Sequence, residues 1–292
     1  MIVLQQLING LQLGSIYSLI ALGYSMVYGI IMLLNFAHGD IIMVGGYIAL
    51  LIIGAGIHPA VAIIAAIAGC MVLACVIEKA AYAPLRKAPR ISLLITAIGV
   101  SYLLQNTALL IWTANPKVFP SVFDLGTIKM FDGNLVITSE TILTIVANIV
   151  IMIALTTFTS RTKMGKAMRA VSEDRGAAEL MGINVNRTIS LTFAIGSALA
   201  AIAGVLLCSS YPTLQPTTGS MPGIKAFTAA VFGGIGSIPG AMIGGLLLGI
   251  IEILGKAYIS TELGDALVFA VLIVVLLFKP AGLLGKPVHE KV

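Results

Sequence analysis

Residues 161–187 read RTKMGKAMRAVSEDRGAAELMGINVNR and stand between two long apolar runs in a chain that is otherwise mostly hydrophobic. The segment carries six Lys/Arg and three Asp/Glu, so it predicts a folded surface that faces water. Ser172 can cap a helix whose first turn holds two acidic residues, and Gly182 supplies a left-handed stop. The pattern therefore predicts a short helix at the membrane surface, over about residues 173–181.

The composition outside this segment defines the class of protein. Hydrophobic residues make up 59% of the 292 residues, charged residues 10%, and the mean hydropathy is +1.06. These values exclude an ordinary soluble domain and predict an all-α polytopic membrane protein embedded in the lipid bilayer. The net charge of +5 does not indicate a nucleic-acid partner, because the basic residues cluster between apolar runs, where they determine membrane topology.

Apolar segments follow one another along the whole chain, and each is compared with the roughly 20 residues that a helix needs to cross a bilayer. They cover about residues 6–33, 37–55, 58–82, 91–113, 140–160, 188–208, 222–235, 238–257 and 264–279. The seventh is short for a full crossing, so it either crosses or re-enters the membrane. We expect about eight or nine transmembrane segments, with broken or re-entrant helices, in a single domain over residues 1–292.

The positive-inside rule orients these segments. Arg86, Lys87 and Arg90 mark one cytoplasmic loop, and residues 161–187 mark a second, with two spans between them. Residues 114–139 then lie outside, where their charges balance. If the seventh segment crosses, the lysines at the carboxyl end become cytoplasmic and the amino terminus lies outside.

Polar residues interrupt the apolar pattern at the run NFAHGD, residues 35–40. Such groups are costly in hydrocarbon unless they are paired or face water. They either tie two spans together, form a plain loop, or belong to a broken helix that turns toward a zwitterionic solute. Gln105 and Ser101, four residues apart in the fourth segment, share a helix face and are further candidates to line a path.

A second interruption is the glycine-rich run FGGIGSIPGA, residues 232–241. Glycines at 236, 240 and 244 recur every four residues, which predicts a stripe of small residues that allows close helix packing. The run is not a phosphate-binding loop, because no Lys-Ser or Lys-Thr follows its last glycine. We therefore expect this chain not to bind or hydrolyse ATP by itself.

Other chemistry has little support in the sequence. The three cysteines fall inside apolar runs with no metal or redox spacing, so we expect no metal site. We find no grouping of nucleophile, base and orienting residue, which leaves no candidate catalytic residue and argues against an enzyme. Glu252 and Lys256, four residues apart, can pair on one helix face.

Three stretches together resemble the branched-chain amino acid ABC transporter permease family, in its LivH-type subunits. They are LINGLQLGSIYSLIALGYSMVYGIIMLLNFAHGDIIMVGGY at 7–47, AVSEDRGAAELMGINVNRTISLTFAIGSALAAIAG at 170–204, and AFTAAVFGGIGSIPGAMIGGLLLG at 226–249. The central loop is similar to the EAA…G loop of ABC importer permeases, where a short cytoplasmic coupling helix docks on the ATPase. The leading Glu of that loop is Gly176 here.

This resemblance implies an importer in the bacterial inner membrane that takes up branched-chain amino acids such as leucine. The expected partners are a second, LivM-like permease subunit, two ABC ATPase subunits that hold ATP and Mg²⁺, and a periplasmic amino-acid-binding protein. No cofactor is expected in this chain. Members of the family also handle other amino acids, amides and urea. From the residues alone, a gradient-driven secondary transporter or a channel, with His38 and Asp40 as proton carriers, remains the alternative.

The resemblance also assigns roles to individual positions. The coupling residues, within the 161–187 coupling loop, would be Glu173, Asp174, Arg175, Ala177, Ala178, Glu179, Met181, Gly182 and Ile183. The residues that line the translocation path or frame its gate would be Asn35, His38, Asp40, Gly233, Gly234, Gly236 and Ser237, joined by Gln105.

Overall fold

The computed structural model describes residues 2–32, 35–86, 88–122, 126–130 and 135–285, which leaves Lys87 and the lysines at 286 and 291 outside the description. The described helices are α1 (Ile2–Ile31), α2 (His38–Gly54), α3 (Pro59–Ile77), α4 (Arg90–Trp112), α5 (Ser139–Arg161), α6 (Lys163–Glu173), α7 (Arg175–Leu180), α8 (Val185–Ser210), α9 (Ser220–Gly233), α10 (Ile238–Tyr258) and α11 (Gly264–Phe278). A π-helical turn, Glu78–Tyr82, extends α3.

The predicted all-α polytopic architecture is confirmed. Each of the nine predicted apolar segments coincides with one helix, namely α1 to α5 and α8 to α11. Six of these helices are long and apolar enough to cross a membrane, whereas α2 and α11 are shorter apolar helices. The side chains of α3, α4 and α5 are largely unburied within the chain, as expected for helices that face lipid or another protein.

Short strands occur at one end of the helix bundle. β1 (Lys117–Val118) pairs with β4 (Thr213–Leu214), and β2 (Thr127–Met130) pairs with β3 (Leu135–Thr138), both antiparallel. We call this end the strand face. The opposite end carries α6 and α7, and we call it the loop face.

Helix α9 crosses the bundle and does not turn back. It runs antiparallel to α10 along its whole length, from the Lys225–Glu252 contact, past Gly244 against the Ala229 carbonyl, to Gly233 beside Gly240. At 14 residues α9 is about 21 Å long, shorter than α10, and it is not among the helices long and apolar enough to cross a membrane. The helix ends at the loop face, where the residues after α11 return to it through hydrogen bonds from Leu283 and Leu284 N–H groups to the Phe232 and Gly233 carbonyls, both 2.9 Å. The described chain therefore begins at the strand face and finishes at the loop face.

The most extensive helix pair is α1 with α10, and glycines bring the two backbones into contact. A Cβ atom on Gly10 would lie 2.8 Å from Ile250 Cα, and one on Gly14 would lie 2.8 Å from Leu246 Cα. On the other helix, a Cβ atom on Gly249 would overlap the Gly14 backbone. Only residues without a side chain permit this approach.

The predicted glycine stripe is correct in part. Gly240 and Gly244 pack against α9, and a Cβ atom at either position would strike the α9 backbone. Gly236 does not belong to the stripe, because it lies in the turn before α10 with φ +88° and its N–H donates to Ser25 Oγ at 2.9 Å. The turn between α9 and α10 needs this left-handed conformation, which breaks the helical register that the spacing suggested.

The helix predicted over 173–181 is wrong in its start. Residues 163–173 form the separate helix α6, and Ser172 lies in its last turn, where its hydroxyl donates to the Arg169 carbonyl at 2.7 Å. Asp174 caps α7 in its place. Its extended backbone separates α6 from α7, and its carboxylate accepts a hydrogen bond from the Ala177 N–H. The predicted stop at Gly182 is confirmed, with φ +80°.

We predict that Gly249→Ala lowers the stability of the folded chain by about 1–3 kcal/mol, because the added methyl group forces α1 and α10 apart. The matched control is Gly99→Ala on α4, where an added Cβ meets nothing within 4 Å. Thermal unfolding in detergent measures both variants. Equal melting temperatures for the two would show that the α1–α10 contact does not limit stability.

Candidate coupling and translocation site

The α7 helix is short but fully capped. The Asp174 carboxylate accepts from the Ala177 N–H at 3.0 Å at the start. At the end, the Gly182 N–H donates to the Glu179 carbonyl at 2.9 Å and the Ile183 N–H donates to the Ala178 carbonyl at 3.0 Å. This pair of bonds is a Schellman motif, which needs the positive φ of Gly182. The caps therefore define the shape of α7 at the loop face, although the helix is only about one and a half turns long.

The predicted coupling residues divide into two groups by exposure. Leu180 is 90% exposed and Met181 is 83% exposed, so two apolar side chains project from the end of α7 without cover in this chain. Besides Met181, the exposed predicted residues are Glu173, Asp174, Ala177, Glu179 and Gly182, whereas Arg175 and Ile183 are half-buried. Ala178, by contrast, is 3% exposed and belongs to the core of this chain. Its small size serves packing inside the subunit, so the expectation that it contacts a partner is corrected.

Arg175 connects α7 to the end of α1. Its guanidinium donates to the Ile31 carbonyl at 3.1 Å and to the Ile30 carbonyl at 3.4 Å. These carbonyls belong to the last turn of α1, whose helix ends as Met32 turns left-handed at φ 55°. Burial, together with the nearby Arg86 charge, lowers the pKa of Arg175 below its ordinary value, but a guanidinium remains charged in proteins. Arg175 thus satisfies carbonyls that the helix end leaves unpaired.

Asp40 is buried in the bundle and bonded to α4. Gln105 Nε2 donates to Asp40 Oδ1 at 2.9 Å, and it also lies 3.2 Å from Ser101 Oγ and 3.3 Å from Ser220 Oγ. These four residues, which we call the Asp40 cluster, join α2, α4 and α9. The predicted pairing of Gln105 with Ser101 on one helix face is confirmed. A carboxyl group in this position is expensive in a membrane and marks a candidate functional site.

The Asp40 cluster exists because α2 begins inside the bundle. His38, in its first turn, packs against α1 at Gly23, where a Cβ atom would lie 2.5 Å from His38 Nε2. The next residue, Gly39, meets the α9 backbone at Gly219 and Gly223. Two helix starts, those of α2 and α9, therefore meet near Asp40. Broken helices that meet in this way are typical of solute sites in transporters.

Asn35 lies on the chain segment that leads from α1 into α2. Its side-chain carbonyl accepts from the Tyr82 hydroxyl at 2.7 Å, and both residues are buried. Tyr82 also lines a cavity of about 480 Å³ that lies at the loop face, together with the end of α1 and the start of α7. We call this space the loop-face cavity. Its polar lining includes Glu78, Arg86 and Arg175.

The glycine-rich turn is not near the Asp40 cluster. Gly233 and Gly234 are buried against Gly240 and the residues after α11, and the Ser237 hydroxyl caps α10 by accepting from the Gly240 N–H at 3.2 Å. The turn lies at the loop-face end of α9, whereas Asp40 meets the other end, about 15 Å away along the helix. The structure thus brings Asn35, His38, Asp40 and Gln105 to one region and places the predicted glycine residues elsewhere.

A family model described as "Branched-chain amino acid transport system / permease component" matches residues 6–276 of the chain. The chain belongs to this permease family. The permease is 49% identical to the high-affinity branched-chain amino acid transport system permease protein LivH of Escherichia coli, over 99% of this chain and 97% of that protein. It is 47% identical to the protein BraD, of the same description, from Pseudomonas aeruginosa, over 99% and 98%.

A more distant relative and a solved structure extend this comparison. A probable LivH of Methanocaldococcus jannaschii is 31% identical over 91% of the permease and 88% of that protein. The structure of PsaBC from Streptococcus pneumoniae in complex with Fab matches with a TM-score of 0.50 at 12% identity, over 92% of this chain and 90% of that chain. At this identity the match indicates a similar fold alone.

The permease also contains a buried ion cluster near the strand face. Glu252 accepts from Lys225 at 2.8 Å, from Lys256 at 2.5 Å and from the Tyr17 hydroxyl at 2.8 Å. Lys225 pairs in addition with Asp265 at 2.6 Å. The predicted pair of Glu252 and Lys256 is confirmed, and it is part of a neutral group that joins α1, α9, α10 and α11. Pairing of this kind lowers the cost of charges inside a membrane.

Sequence reasoning missed several of these residues. Lys225 stands alone in an apolar run, which is itself a signal that a buried acid must lie nearby, but its partner Asp265 is distant in sequence. Tyr82, Glu78 and Leu180 gave no comparable signal. Within the described ranges, no group of three or more His, Cys, Asp or Glu side chains could hold a metal ion.

We predict that Glu252→Gln destabilises the permease by about 3–5 kcal/mol, because Lys225 and Lys256 then share the single acid Asp265. Lys256→Ala is the control and should cost less, since Glu252 retains Lys225 and the Tyr17 hydroxyl. Thermal unfolding in detergent compares the two. A larger loss for Lys256→Ala would contradict the central place of Glu252 in the cluster.

Proposed function

We propose that this permease forms part of the membrane channel of an ATP-driven importer for branched-chain amino acids. The observation that carries the proposal is the whole-length similarity to permeases named for that transport. ATP hydrolysis belongs to separate ATPase subunits, because the sequence lacks a phosphate-binding loop of its own. This chain supplies the path and the contact through which the ATPases drive it.

The end of α7 is the contact proposed for an ATPase subunit. Leu180 and Met181 are nearly fully exposed next to each other at a water-facing loop, and an apolar groove on a partner would cover both side chains. The Schellman motif at Gly182 holds both side chains outward. Arg86 and the basic residues of 161–187 all lie at the loop face, which supports a cytoplasmic loop face, a periplasmic amino terminus and a cytoplasmic carboxyl terminus in the inner membrane.

The second permease subunit is proposed to cover α4. This helix is mostly unburied within the chain, and beside Gln105 it exposes Asn106 and Tyr102. The Asn106 amide donates to the Tyr102 carbonyl at 2.7 Å, and an exposed amide is costly in hydrocarbon. A second subunit, or the water-filled path between two subunits, satisfies these groups better than lipid.

The Asp40 cluster is proposed to contact the solute. A branched-chain amino acid carries an ammonium group, a carboxylate and an apolar side chain, and a buried carboxyl group beside apolar helices suits the first and the last of these. A periplasmic binding protein would deliver the solute to the strand face. Discrimination among leucine, isoleucine and valine belongs mainly to that protein.

The test is ATP-driven uptake of labelled leucine by this permease, assembled with its second subunit, its ATPases and its binding protein in lipid vesicles. Uptake of leucine, isoleucine and valine but not of urea supports the proposal. Uptake by the chain alone along a proton gradient, without ATP, would replace the importer by a secondary transporter.

We predict that Leu180→Asp lowers co-purification of the ATPase subunits about tenfold or more, because a charge enters an apolar groove. The control is Val118→Asp, which places the same charge at a side chain that is 78% exposed on the opposite face. Quantitative blotting after mild detergent extraction gives the ratio of ATPase to permease. An unchanged ratio for Leu180→Asp would exclude the end of α7 as the contact.

A further inference from the structure

The contacts at the loop face link α7 to the end of α1, and the chain continues from there to the region of Asp40. Arg175, the first residue of α7, bonds to the last carbonyls of α1. The chain then passes through Met32 to Asn35, which Tyr82 holds by its hydroxyl. Five residues later the same segment reaches Asp40. A displacement of α7 therefore acts on the α1–α2 connection through a charged contact.

Tyr82 stands at the boundary between two polar regions. One side of its ring borders the loop-face cavity, and its hydroxyl reaches the segment that positions His38 and Asp40. The His38 N–H in turn donates to the Asn35 carbonyl at 3.1 Å, so Asn35 holds both Tyr82 and the start of α2. The bond from Tyr82 to Asn35 joins α1–α2 to the π-helical turn after α3.

We propose that the Asn35–Tyr82 hydrogen bond is a latch that closes the loop-face cavity off from the Asp40 cluster, and that Arg175 is the positioning residue that transmits α7 movement to it. This inference rests on the proposed function. When α7 moves with the ATPase, Arg175 displaces the end of α1 and with it Asn35. The latch opens, and the solute passes from the Asp40 cluster into the cavity.

The design of the connection fits this task. Both contacts come from the same guanidinium nitrogen, Nη2, which therefore bridges the two adjacent carbonyls at the end of α1. The left-handed backbone of Met32 ends α1 directly after those carbonyls. The cavity is lined by Glu78, Arg86 and Arg175. It therefore carries both signs of charge, which suits a zwitterionic solute that leaves the path.

The first test uses the complete importer in lipid vesicles and measures ATP hydrolysis and leucine uptake on the same sample. We expect Arg175→Ala to leave hydrolysis within about twofold and to lower uptake per ATP by about tenfold. Arg175→Lys should recover part of the loss, because an ammonium group keeps the positive charge and can still donate to these carbonyls. The control is Arg169→Ala in the same loop, whose guanidinium caps α5 through the Ser160 carbonyl, and it should leave uptake per ATP unchanged.

The outcomes separate this inference from the proposed function. Unchanged uptake per ATP in Arg175→Ala, or an equal fall in hydrolysis and uptake, overturns the role of Arg175. If the same preparation with Leu180→Asp loses its ATPases, the proposed function stands while the connection fails. If that variant also hydrolyses and transports normally, the proposed contact at the end of α7 fails, whereas the proposed function itself fails only if the unmodified importer shows no ATP-driven leucine uptake.

The second test measures the latch directly. Tyr82→Phe removes only the hydroxyl and keeps the buried ring, so the chain should still fold. With the native cysteines replaced by alanine, Ser101→Cys reports access to the Asp40 cluster by a membrane-impermeant thiol reagent added at the loop face. We expect Tyr82→Phe to raise the labelling rate about fivefold, the equivalent of one lost hydrogen bond. An equal labelling rate with and without the hydroxyl overturns the latch.

Discussion

The direct contact of the α1 and α10 backbones is the constraint on which the rest of the structure depends. Lipid tails are as apolar as leucine, so the hydrophobic effect does not hold helices together within a membrane, and close van der Waals packing must do so. Gly10 and Gly14 on one helix and Gly245 and Gly249 on the other allow that packing. The long, buried α1 then serves as the axis against which α5, α8 and α9 pack.

Two buried polar clusters link the helices around this axis. Near the strand face, Lys225, Glu252 and Asp265 join α9, α10 and α11 with no net excess of charge once Lys256 is included. Deeper in the bundle, Gln105 ties Asp40 to α4. The first cluster is a closed network of ion pairs, whereas the second contains one carboxyl group held by neutral donors. This difference is why the Asp40 cluster, and not the ion cluster, is the candidate for solute contact.

Coupling depends on the position of α7 relative to the end of α1. The loop is distant from α1 in sequence, yet Arg175 bridges the two by bonding to the Ile30 and Ile31 carbonyls. The same segment holds Ala178 inside the subunit and leaves Leu180 and Met181 outside. One short helix thus exposes two apolar side chains, the proposed contact with an ATPase, and holds the end of α1 through a charged side chain.

The sequence by itself determined the all-α membrane class, the nine apolar helices, the Gly182 stop, and the pairs Gln105–Ser101 and Glu252–Lys256. These features depend on composition, on segment length or on residues four apart, all of which are local. Tertiary structure alone decided that Asp174 and not Ser172 caps α7, that Ala178 faces inward, and that the glycine turn lies far from Asp40. It also decided the partners of Tyr82, Arg175 and Lys225, because each partner lies on another helix and only the packing of the bundle brings the two side chains together.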